Sequence, residues 1–144
     1  MGQISFKQQV KNNQLAILSL IIAISSLSYT SWRNETSESQ RNTRMAAFEV
    51  LVELGKLQQI VDYRFYSSDK SKGGHIAGWG SVSMIKDLSE FVSPTAKIAS
   101  EQLFSDWKDY FEALEQQDPQ AEKVLTRSIS KTRKMVKNKL RALE

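Results

Sequence analysis

The chain has 144 residues, 40% hydrophobic and 25% charged, a globular balance with room for one domain of ordinary size. It has no cysteine, which excludes disulfides, thiolate metal centres, cysteine nucleophiles and S-acylation, and its 2 Pro and 6 Gly are few breakers, so long helices are expected. The net charge of +4 is local: residues 33–121 carry 10 basic and 14 acidic side chains, whereas residues 122–144 carry 8 basic and 2 acidic, so charge gives no global argument for nucleic-acid binding.

Residues 1–14 read as a short polar tail containing Lys7 and Lys11. Its Met-Gly start lacks the Ser or Thr at position six that myristoylation wants, since Phe6 stands there. Residues 15–32 follow without a charge. As a helix, 18 residues rise about 27 Å, against about 30 Å of hydrocarbon, so a transmembrane helix is expected. Tyr29, Trp32 and Arg33 stand at its far end, where amphipathic aromatics and a snorkelling arginine suit the headgroup level. A cleaved signal peptide is the rival reading, with Ser26 and Ser28 at cleavage spacing, but no Ala-x-Ala precedes a mature start. A buried helix of a soluble core is a third reading, disfavoured by the uncharged length.

Ala16, Ser19, Ala23, Ser26 and Thr30 fall at alternating spacings of three and four inside this run. They form a face of small residues on which another membrane helix can pack closely. Basic residues flank the run on both sides, so they fix no orientation. A short tail and a long carboxy-terminal domain lean the reading towards an extracytoplasmic domain. Asn34-Glu35-Thr36 is a glycosylation sequon whose meaning depends on a eukaryotic secretory setting.

Residues 33–46 are polar on every side and read as a helical stalk. From there to residue 144 an all-α, antiparallel bundle of about four helices is expected. Ala47, Val50, Leu54, Leu57, Val61 and Phe65 make the first apolar stripe, widened by Phe48 and Leu51, and the helix stops near Ser67. The segment SSDKSKGGHIAGWG holds Gly73, Gly74, Gly78 and Gly80 and is expected to be a loop; it lacks the Gly-Lys-Ser/Thr of a phosphate-binding loop. A short helix over 81–92 would turn Val82, Ile85, Leu88 and Val92 inward. Ser93-Pro94 and Asp118-Pro119 each combine an N-cap with proline at the first helical position, opening the third and fourth helices. The third buries Ala96, Ala99, Leu103, Trp107, Tyr110, Phe111 and Leu114; the fourth buries Leu125, Ile129, Val136, Leu140 and Leu143, with Thr132 interrupting the stripe.

Candidates for chemistry are sparse. His75 is the sole histidine and cannot assemble a familiar zinc site without cysteine. Asp106, Asp109, Glu112 and Glu115 line one edge of the third helix, where they are expected to face the basic fourth helix. Lys131, Lys134, Lys137 and Arg141 of that basic helix are candidates for contact with lipid or an acidic partner, the plainer reading being the wet face of a bundle helix. No cofactor, metal site or catalytic set is expected, and the chain is read as a non-enzyme. The functional expectation is a single-pass membrane protein acting as an interaction or accessory subunit. Its partners would be the lipid bilayer and either a membrane protein or a second copy, and not nucleic acid. The alternatives are a tethered ligand-sensing bundle with His75 and Trp79 at its mouth, and a secreted helical protein with a cleaved signal peptide.

Overall fold

The structure is a computed structural model that describes residues 13–67 and 74–143. Residues 1–12 of the polar tail, with Lys7 and Lys11, and residues 68–73 of the expected glycine loop lie outside the described residues. Among the described residues all but short connections are helical, and none lies in a strand. The helices are α1 (Gln14–Tyr66), α2 (His75–Ser89), α3 (Pro94–Glu115) and α4 (Pro119–Arg141).

The chain divides into two units, the first reaching Ser39 and the second beginning at Gln40, with α1 contributing to both. In the first unit every described side chain is exposed. An 18-residue window there has a mean hydropathy of 1.7 and none of it is buried. By length and composition this stretch can cross a membrane, and the described chain buries none of it. Its polar atoms are partly satisfied by its own backbone: Ser19 Oγ donates to the Leu15 carbonyl at 2.8 Å and Thr30 Oγ1 to the Ser26 carbonyl at 2.9 Å. Such bonds to the preceding turn lower the cost of a hydroxyl in an apolar medium.

The second unit is a four-helix bundle with one core drawn from all four helices. Three series of contacts set the directions. Arg44, Leu54 and Gln58 of α1 meet Leu143, Arg133 and Thr126 of the chain's last segment in that order, so α1 and α4 are antiparallel. His75 and Trp79 of α2 lie on Phe111 and Phe104 of α3, and Ala99 and Asp106 of α3 meet Thr132 and Ser128 of α4. Both pairs are therefore antiparallel, and the topology is up-down-up-down.

The stripes expected on α3 are buried, with Tyr110 half-buried, and Ala47, Val50, Leu54, Leu57 and Val61 of α1 are fully enclosed. Ser93 Oγ accepts from the Ala96 N–H at 3.1 Å and Asp118 Oδ1 from the Gln120 N–H at 2.9 Å, each with proline at the start of the helix. Between them α3 ends in a Schellman turn. Gln117 takes φ 56°, its N–H reaching the Leu114 carbonyl and the Asp118 N–H the Ala113 carbonyl.

Three expectations are corrected. Gly78 and Gly80 are not loop residues but belong to α2, which begins at His75 rather than near Ser81. Gly78 is there for packing: a Cβ on it would lie 2.3 Å from Trp107 Cζ2, and Trp107 is fully buried. Thr132 does not interrupt the α4 stripe, because it is itself buried, donating to the Ala99 carbonyl at 3.2 Å and the Ser128 carbonyl at 3.0 Å. Phe48 does not widen the inward face of α1; it is 60% exposed on the far side.

Candidate functional site

The geometry offers surfaces for binding, and the first lies on the apolar half of α1. Ala16, Ser19, Ala23, Ser26 and Thr30 are all exposed there at alternating spacings of three and four. Small side chains at that spacing let another helix approach closely. Ser19 and Thr30 spend their hydroxyl hydrogens on their own helix, which leaves their oxygens able to accept. At the end of the uncharged run Tyr29 and Trp32 lie with ring centroids 6.2 Å apart, both exposed, and Arg33 follows them, also exposed. Two aromatic rings and a guanidinium one turn apart form a collar suited to a headgroup region.

The second surface is the outer side of α4. Lys131, Lys134, Lys137 and Arg141 are exposed. Lys134, Lys137 and Arg141 line an open groove of about 250 Å³ with Ser130, Arg133 and Asn138, whereas Lys131 stands outside it. Arg133 is tied into the bundle, donating to the Leu54 carbonyl at 3.3 Å. Lys139 and Arg141 in the last turn complement the negative end of the helix dipole.

The expected meeting of acidic α3 with basic α4 takes a different form. Asp106 accepts from Ser128 of α4 and from Gln102 of its own helix. Glu115 pairs with Arg64 of α1, whose guanidinium lies 5.2 Å from the Phe111 ring centre. Arg64 itself is buried, so this pair sits where the ends of α1 and α3 converge.

A buried carboxylate that sequence reasoning missed is Glu53. It accepts from Ser81 Oγ of α2 at 2.8 Å and from Lys56 Nζ at 2.6 Å. Burial pushes its carboxyl up, but the bonds from Lys56 and Ser81 together outweigh that and hold it below the ordinary 4.5. The same pairing raises Lys56 above the ordinary 10.5. The lone signal for this site is the charge itself, since Glu53 sits in register with Val50 and Leu57 on an otherwise apolar face.

His75 and Trp79 do not form the mouth of a loop. Each stacks edge-on against an α3 ring, His75 on Phe111 at 4.6 Å and Trp79 on Phe104 at 5.7 Å, with Lys86 Nζ 4.9 Å from the same Phe104 ring. These contacts fasten α2 to α3. Among the described residues, no three His, Asp or Glu side chains gather closely enough to hold a metal ion. A separate open groove of about 460 Å³ runs along Gln59, Asp62, Tyr63, Tyr66 and Ser67 near the end of α1.

A further surface is the outer side of α1. Met45, Phe48, Val52, Tyr63 and Tyr66 are large and exposed, on the side of α1 opposite its core-facing residues. Their spacing was visible, but the inward stripe on the same helix claimed the nearest of them, Phe48. No protein-family model, curated protein or solved structure matches this chain.

Proposed function

We propose that the chain is a single-pass membrane protein whose helical bundle serves as a non-catalytic interaction or accessory subunit of a membrane-associated complex. The observation that supports this most is the uncharged 18-residue run of α1, wholly unburied, on the helix that also carries the first stripe of a well-packed core. An apolar surface of that size left in water would aggregate, whereas a bilayer covers it completely. The collar of Tyr29, Trp32 and Arg33 marks one edge of the span, and the face Ala16, Ser19, Ala23, Ser26 and Thr30 is where a partner helix packs. In this reading the bundle is on the extracytoplasmic side. The exposed cations Lys131, Lys134, Lys137 and Arg141 keep the bundle soluble and are open to acidic groups.

Photo-crosslinkers placed singly at each residue from Leu18 to Leu27 in native membranes test the role. Adducts of one defined mass should peak at Ser19, Ala23 and Ser26. Uniform labelling of lipid alone, with no protein adduct at any position, would sink the accessory reading. Mass spectrometry of the mature amino terminus separates the secreted alternative: a start near Tyr29 would replace the anchor with a cleaved signal.

A further inference from the structure

Within the bundle unit, α1 has two apolar sides. Its inward side is the core stripe. Its outward side carries Met45, Phe48, Val52 and Gly55, followed by Gln59, at spacings of three, four, three and four. At about 100° per residue these five positions fall within roughly 80° of one another and about 180° from the centre of the buried stripe. Met45, Phe48 and Val52 are 63%, 60% and 51% exposed. A Cβ built on Gly55 meets nothing within 4 Å, so the backbone is open to close approach there. Met45, Phe48 and Val52 take successive a, d and a positions on the solvent side of a helix whose opposite side is already satisfied, with Gly55 at the next d.

We infer that this strip is the seam of a parallel pairing between two copies of the chain, α1 against α1. The inference rests on the membrane-anchored reading, because copies inserted with one topology present α1 in one direction. The charges agree. With Met45 and Val52 at a and Phe48 at d, Arg44 takes a g position and Glu49 the e position five residues on. In a parallel pair each Arg44 therefore faces the other copy's Glu49. Both side chains are exposed, and Arg44 uses one N–H on the Leu143 carbonyl and keeps others to donate. The size of the strip sets the conditions. Three side chains, none larger than the ~150–250 Å² of an aromatic ring, fall short of the ~800 Å² per partner of a stable soluble complex. The pairing therefore depends on the high effective concentration that a shared membrane provides.

The native chain lacks cysteine, so single thiols report without background. The purified full-length chain is placed in phosphatidylcholine vesicles and washed at high pH. Oxidation should then give disulfide dimers for Met45→Cys, Phe48→Cys and Val52→Cys, and far less for Ser105→Cys and Lys131→Cys, which are exposed elsewhere on the bundle. Adding Glu49→Arg to Phe48→Cys should cut the dimer by about two- to fivefold, the scale of an exposed ion pair. Adding Arg44→Glu as well should restore it. Retention in the washed vesicles with no dimer, or with equal dimer at all five positions, overturns the seam alone. Release from the vesicles overturns the anchor reading and the tethered pairing with it.

Discussion

Gly78 lies against Trp107 with no room for a side chain. The indole is the largest fully buried side chain, and it packs 4.7 Å from the Phe111 ring while occupying the space a side chain at position 78 would need. Gly78→Ala should therefore destabilise the fold by about 1–3 kcal/mol, although alanine is the better helix former. Thermal unfolding followed by circular dichroism measures this, and an unchanged or raised Tm would refute it. Glu53 makes a pH-dependent contribution. Its folded carboxyl is held below the ordinary 4.5, so the associated stability is complete above that value and is lost as pH falls through the lower folded value. Tm should therefore fall more steeply between pH 5 and about pH 3 in the native chain than in Glu53→Gln. Parallel slopes would remove Glu53 from the account.

At the scale of the helix, α1 is exposed throughout the described part of the first unit, and in the bundle it has two unlike sides. Leu54→Ala opens a cavity in the core and should cost about 2–5 kcal/mol. Phe48→Ala removes a larger side chain yet should change the stability of the single chain by no more than about 0.5 kcal/mol, because little covers it. Chemical denaturation of the two variants in the same detergent checks the contrast, and similar losses would show that Phe48 is a core residue. This is also where sequence reading succeeded and failed. The caps at Ser93 and Asp118 were legible because their chemistry is local: a side-chain oxygen, a proline and an orphan N–H within three residues. The buried stripes were legible because a 3.6-residue period survives in one dimension. Gly78 was misread because the reason for a glycine there is an indole nearly thirty residues away. Thr132 was misread because a buried hydroxyl satisfied by the Ser128 and Ala99 carbonyls looks, in the chain, like a polar break. Phe48 was misread because two stripes on one helix overlap in sequence and only packing tells which one a residue joins.

At the scale of the whole molecule, an apolar helical run precedes a bundle with a complete core of its own. The bundle needs no help from the first unit to bury its stripes, since residues from Ala47 onward supply all the buried positions of α1. In the run before it every described side chain is exposed, and by length and composition it can cross a membrane. Both the candidate packing face and the aromatic collar depend on the proposed membrane span. The most direct test is cysteine-accessibility scanning of residues 13–36 in intact membranes with a water-soluble thiol reagent. Protection should extend without a break across about 18 residues, from Leu15 to Trp32, with labelling restored on either side. Ready labelling of Ile21 and Ile22 in sealed membranes, or a mature chain that begins after them, would contradict the account at its centre.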